Sequence, residues 1–177
     1  WVSESSPVQP QTPRAWRRVD AERWVHAFGR TSGARTVALR IPGIYAPDRE
    51  GGTPRDRLQR GTPVLRFEDD VYTNHIHADD LGRACALAVW RARPRRNINV
   101  VDDTELRMGD YFDLAADLYG LPRPPRLSRE DARAQLPAML LSFMGESRRL
   151  HNGRMKQELR LALRYPTVRE GLTDQPV

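Results

Sequence analysis

The 177-residue chain predicts an α/β fold with parallel strands and a mostly helical later part. Three observations carry this. Ala21, Trp24, Val25 and Phe28 recur at i, i+3, i+4 and i+7, and after a short turn the apolar run Thr36 to Ile41 follows, as in a helix-to-parallel-strand connection. That run breaks at Pro42-Gly43, in the manner of a buried strand whose end opens onto a ligand. Helix and strand patterns then alternate as far as Val101, and from Asp102 onward the texture changes to helices and proline-rich joints.

Residues 1 to 11 are polar and Pro-rich and read as a surface loop. Thr12-Pro13 is a helix start, with a hydroxyl N-cap and proline in the first turn; this helix should run to about Arg30 and stop near Gly33. Thr53-Pro54 starts a short helix ending at Gly61. Val64 to Phe67 is a brief strand, and the acidic turn Glu68-Asp69-Asp70 leads into Val71 to Ile76. Asp79 or Asp80 is expected to cap the next helix, whose inner face is Leu81, Ala84, Cys85, Ala88 and Val89. Asn97 to Val101 is a further strand. Met108 to Tyr119 is amphipathic, residues 120 to 125 are a breaker, and Ser128-x-x-Asp131 and Thr167-x-x-Glu170 are capping boxes. The expected division is 1–101, an α/β part with a substrate-side excursion at 43–70, and 102–177, a helical cap.

A hydrophobic content of 39% and a charged content of 29% fit a globular chain, and no apolar run approaches the roughly 20 residues that span a bilayer. The expected location is the cytoplasm, with no membrane partner. The lone Cys85 excludes an internal disulfide and reads as a buried structural thiol. A net charge of +6 invites a nucleic-acid reading, but Lys156 is the only lysine and the arginines are scattered through every segment, so nucleic acid is not an expected partner.

Four motifs in order resemble the C-terminal part of an extended or atypical short-chain dehydrogenase/reductase, of the NAD-dependent epimerase/dehydratase group. They are Arg40-Ile-Pro-Gly-Ile-Tyr45-Ala-Pro, Asn74-His-Ile-His77-Ala-Asp-Asp80-Leu, Asn99-Val-Val-Asp102-Asp and Leu118-Tyr-Gly-Leu-Pro. The resemblance implies a Rossmann-like sheet whose N-terminal nucleotide-binding half, with its Gly-rich pyrophosphate turn, lies outside this chain. No Gly-x-Gly-x-x-Gly turn is present, and the start at Trp1 reads as the middle of a longer protein.

The resemblance also implies the site. Pro42, Gly43 and Ile44 would border the nicotinamide of NAD or NADP through backbone contacts, and Tyr45 and Arg49 would face the substrate. The alternative is that Pro42-Gly43 only turns the chain and Tyr45 packs. The family's Tyr-x-x-x-Lys pair puts a proton-exchanging phenol and an ammonium on one helix face. Aligning Glu22 with the family's glutamate places Arg14 and Arg18 at those two positions, so the pair is replaced. Arg18 would bind cofactor ribose or phosphate, or stand as a solvated charge. Tyr45 and His77 are the residues left to supply a proton, and a structural hydrogen-bonding role is expected for His77. His75 and His77 share a strand face without a third ligand, so no metal is expected. Ser147, Arg148, Arg149 and Asn152 read as an anion pocket or a solvated turn. With Asn74, Arg149 and Asn152 are the expected substrate contacts.

Two functions follow, with nucleic-acid binding by a basic protein as a weaker third. The first is an NAD(P)-dependent oxidoreductase or epimerase acting on a hydroxyl or carbonyl of a small molecule, with a sugar nucleotide as one candidate. The second is a non-catalytic dinucleotide sensor. A homodimer is compatible with either.

Overall fold

Thr12 accepts the Ala15 N–H at 3.2 Å and opens helix α1 (Pro13–Ser32), which Gly33 ends at φ 72°, a left-handed conformation that glycine adopts without strain. The computed structural model describes residues 1–173. Strands β1 (Val37–Arg40) and β2 (Gly43–Tyr45) follow, then α2 (Arg55–Gln59), β3 (Val64–Leu65), a 3₁₀ turn at Phe67–Asp69, β4 (Tyr72–Thr73), β5 (His75–His77) and α3 (Ala78–Arg91). The remainder is β6 (Arg96–Asn99), β7 (Leu106–Arg107), α4 (Met108–Tyr119), β8 (Arg126–Leu127), α5 (Arg129–Gln135), α6 (Ala138–Phe143), α7 (Gly153–Glu158) and α8 (Val168–Thr173).

The strands form pairs: β1 with β6, β2 with β5 and β3 with β8 run parallel, and β4 with β7 antiparallel. Val37 stands opposite Arg96 and Arg40 opposite Asn99, while Tyr45 stands opposite His77. Two apolar clusters result. One joins Ile76, Ala84, Ala88, Ile98, Val100, Met155 and Leu159, binding α3 and α7 to the strands. The other gathers Tyr45, Leu65, Tyr111, Phe112, Met144 and Leu172 around α4. Ser128 caps α5 by accepting the Asp131 N–H, and the Glu170 carboxylate accepts the Thr167 N–H at 3.0 Å, so each expected box supplies one of its two reciprocal bonds.

Three expectations are corrected. The apolar stripe of α1 does not face the sheet: Trp24 and Phe28 are exposed, and Glu22, His26 and Gly29 turn inward, because this helix is fastened by polar groups. Cys85 is exposed, and Val89 beside it is 68% exposed, so the buried side of α3 is Asp80, Ala84 and Ala88. Neither Asp79 nor Asp80 caps α3. His77 does, its Nδ1 accepting the Asp79 N–H at 3.2 Å, which leaves the Asp80 carboxylate to bind elsewhere.

Helix α8 closes on Tyr45 with no room to spare. A Cβ at Gly171 would stand 2.4 Å from the Tyr45 hydroxyl oxygen and 2.5 Å from ring carbon Cε2. Overpacking of this kind costs about 1–3 kcal/mol. Gly171→Ala is therefore expected to lower Tm by about 2–10 °C. Adding Tyr45→Phe should leave much of the loss, because the ring carbon still clashes. A Gly171→Ala protein that melts with the parent in scanning calorimetry would place α8 off this ring.

Candidate functional site

The apolar run of β1 ends in Arg40, and the chain then crosses Ile41-Pro42 into β2. Gly43 and Ile44 are exposed and Pro42 half-buried, so the Pro-Gly-Ile segment presents its backbone at the carboxyl end of a parallel strand. Among the described residues β1 pairs only with β6, and its other edge is open. Between α1, β1 and α3 runs a groove of ≈ 390 Å³, lined by Val25 of α1, Val37 and Leu39 of β1, and Cys85, Ala88 and Val89 of α3.

A polar network fixes the strand end. Arg40 donates Nε–H and Nη2–H to the two Glu22 oxygens, each at 2.8 Å, and the pair keeps the guanidinium charged by raising its pKa. Asn97 donates Nδ2–H to Glu22 at 3.3 Å and lies 2.8 Å from His26 Nε2. Glu4, from the N-terminal loop, accepts the Asn99 N–H at 3.0 Å and faces Arg154 at 3.9 Å. None of Glu4, His26, Asn97 or Arg154 was expected from the sequence. Arg40 at the end of an apolar run was the one usable signal, since a buried cation calls for an anion.

Behind the loop lies a cluster of buried rings. Tyr45 is 2% exposed, and its hydroxyl donates to the Thr167 carbonyl at 3.4 Å. It meets His77 edge-on at 5.2 Å, while His75 lies on Tyr111 at 4.1 Å and His77 on Tyr165 at 3.8 Å. Of the two expectations for Tyr45, facing a cleft or packing, the structure shows the second, because α8 covers the ring. Burial pushes its phenol pKa up, which makes it a poor acid. Burial pushes His75 down to about 4. Asp102 is pushed up to about 7 by burial, offset in part by Thr104, whose N–H donates to Oδ1 at 3.0 Å. Its Oδ2 is buried without a partner.

The remaining expected residues are scattered. Arg14 lies over Phe143 at 5.0 Å, and Arg18 is exposed on α1. Arg49 is exposed on the turn at 46–52. Asn74 is used internally: its Nδ2–H donates to the Arg148 carbonyl and its Oδ1 accepts the Leu150 N–H, both at 3.0 Å. Asn152 likewise donates to the Val101 carbonyl at 3.1 Å and to Asp103 at 2.7 Å. Asn74 and Asn152 thus serve as clamps on segment 148–152, Asn152 being the amide of the expected anion pocket. Arg149 is half-buried between the Trp1 ring at 4.7 Å and the Tyr72 ring at 4.5 Å, and its guanidinium pairs with Glu105 at 3.7 Å. Among the described residues no group of three or more His, Cys, Asp or Glu could hold a metal, and no helix is long and apolar enough to cross a membrane.

The chain is 32% identical to a functionally unknown conserved protein from Silicibacter pomeroyi DSS, with TM-score 0.82 over 98% of this chain and 58% of that one. It superposes on MoeE5 in complex with UDP-glucuronic acid and NAD at 24% identity and TM-score 0.74, covering 98% of this chain and 57% of that one. The UDP-glucose 4-epimerase of Thermotoga maritima, with UDP-glucose, matches at 18% identity and TM-score 0.77, over 97% and 54%. The fold is that of the NAD-dependent epimerases and dehydratases. The chain spans a little over half the length of these solved structures, as a partial Rossmann-like domain. No family model and no curated protein matches the sequence. Within this fold the exposed Pro42-Gly43-Ile44 segment follows directly on β1, which among the described residues pairs only with β6.

Proposed function

We propose that the chain is the substrate-side part of an NAD(P)-binding protein of the epimerase/dehydratase type, with Pro42, Gly43 and Ile44 forming the wall against the nicotinamide. The observation that carries this is the exposed Pro-Gly-Ile segment at the carboxyl end of β1, beside an open strand edge. Two structural neighbours, MoeE5 and a dTDP-glucose 4,6-dehydratase, were solved with NAD, which supports the same cofactor class. Its N-terminal half would pair along the free edge of β1 and fill the groove between α1 and α3, because an unpaired parallel strand with apolar flanks is not stable against water.

When bound, the cofactor would supply hydride exchange with a carbon bearing a hydroxyl or carbonyl. The chain's own residues would do the rest. The backbone of residues 42–44 would orient the carboxamide, Arg40–Glu22 would hold that backbone still, and the Arg149 guanidinium between Trp1 and Tyr72 would receive an anionic part of a small-molecule substrate, a sugar nucleotide by analogy. Arg14 and Arg18 in place of the tyrosine and lysine, with Tyr45 turned inward, favour a second reading. In it the protein binds the dinucleotide and senses it without turnover.

Calorimetric titration of the complete protein with NAD and NADP tests the wall. Ile44→Glu, on an exposed side chain, is expected to weaken binding by at least about tenfold, or ~1.4 kcal/mol, with Tm unchanged. Unchanged affinity would remove the wall. Following NAD(P)H absorbance with sugar nucleotides then separates the readings, since binding without turnover selects the sensor.

A further inference from the structure

Arg57 of α2 stands out among the described residues because its Nε–H and Nη2–H are both buried and have no partner. The guanidinium lies over the Phe112 ring at 4.3 Å. The charged or titratable groups that act on it are Arg60 and Tyr111, and neither is an anion. Tyr111 in turn lies on His75, whose Nδ1 is also buried without a partner.

This molecule shows what that edge of an arginine ordinarily holds. Arg40 offers the same Nε–Nη2 edge to both oxygens of Glu22, and Arg123 offers it to both oxygens of Asp117, at 3.0 and 2.7 Å. At Arg57 the edge is formed, desolvated and vacant of any protein acceptor. Arg57 is half-buried as a residue, but the desolvation of these two donors is met by no acceptor, and the ring contact offsets it only in part. A carboxylate or a phosphate matches the planar fork and restores the balance.

We propose that Arg57 is the binding element of an oxyanion subsite, taking a carboxylate or phosphate group through Nε–H and Nη2–H beside Tyr111. The subsite uses no residue of the Pro42–Ile44 wall, so it stands or falls independently of the nicotinamide reading.

The test is the melting temperature of the intact protein titrated with sodium phosphate, sodium acetate and, at matched ionic strength, sodium chloride. A ligand at 100 times its dissociation constant stabilises by RT ln(1 + [L]/Kd), which for a chain of this size raises Tm by about 5–10 °C. Phosphate or acetate is expected to give this rise above chloride. Phosphate alone identifies a phosphate-bearing ligand and acetate alone a carboxylate-bearing one. Arg57→Met should abolish the difference, and Arg57→Lys, which keeps the charge but loses the fork, should reduce it strongly. Arg60→Gln, which leaves the fork intact, should retain most of it. Should Arg57→Met fail to fold, Arg57→Lys carries the comparison. Equal shifts in all three salts, or a phosphate shift that survives in the Arg57 variants, overturns the proposal.

Discussion

Replacing Asp80 by alanine is expected to cost about 3–5 kcal/mol of unfolding free energy, a fall in Tm of at least about 6 °C. Its side chain is fully buried in the first turn of α3. Both oxygens accept the Arg164 N–H at 3.0 Å, and Oδ2 also accepts the Tyr165 N–H at 2.8 Å. The carboxylate thus ties α3 to the segment that carries α8. Alanine strands both amides, that of Tyr165 in the interior. Asp80→Asn keeps an acceptor and should fall between parent and alanine. Arg83, which donates to Asp80 at 2.8 Å, is 46% exposed, and Arg83→Ala should cost about 1 kcal/mol or less. Urea unfolding ranks the three. An alanine variant within 1 kcal/mol of the parent would mean that solvent or another acceptor serves these amides.

The sequence made the elements legible where local chemistry decides them. Met108–Tyr119 forms as its pattern predicts, Thr12-Pro13 starts α1, and Ser128 caps α5, because capping and periodicity act within a few residues. The faces were harder to read. The Trp24, Val25 and Phe28 periodicity marks the helix, yet α1 meets the strands through Glu22 and His26, whose partners Arg40 and Asn97 are 18 and 71 residues away. No local pattern contains such a pairing. Asp80 was read as a cap for the same reason: its acceptors' partners, Arg164 and Tyr165, are 84 and 85 residues distant. Asn74 and Asn152 were expected at a ligand and instead clamp backbone, since polar side chains beside irregular segments satisfy carbonyls before they meet substrate.

Asp102 and His75 should give the protein opposing pH limbs, and Asp102→Asn should expose one of them. The Asp102 carboxyl titrates at about 7 when folded and ordinarily at 3.8. A raised carboxyl is neutral in both states below 3.8, charged in both above 7, and burdens only the folded state in the charged form. Its cost therefore grows from pH 3.8 to 7 and is complete above that. His75 titrates at about 4 when folded and ordinarily at 6.5, so the unfolded chain takes up its proton first and stability is lost as pH falls from 6.5 to 4. Each pKa unit is worth about 1.36 kcal/mol, so between about pH 4 and 6.5 the two slopes nearly cancel. Asparagine at 102 can still accept the Thr104 N–H and replaces the unpartnered Oδ2 with a neutral group. The difference between variant and parent should be near zero at pH 4 and reach on the order of 4 kcal/mol in the variant's favour above pH 7. Other carboxylates, such as Asp69 and Asp117, titrate alike in both proteins and drop out of that difference. The variant's own profile should then rise from pH 4 to 6.5 on the uncovered histidine limb, and His75→Phe should fall over the same range on the carboxyl limb. Denaturant unfolding at half-unit pH steps reads all three. Parallel curves for parent and Asp102→Asn would show a carboxylate that is solvated in the folded protein.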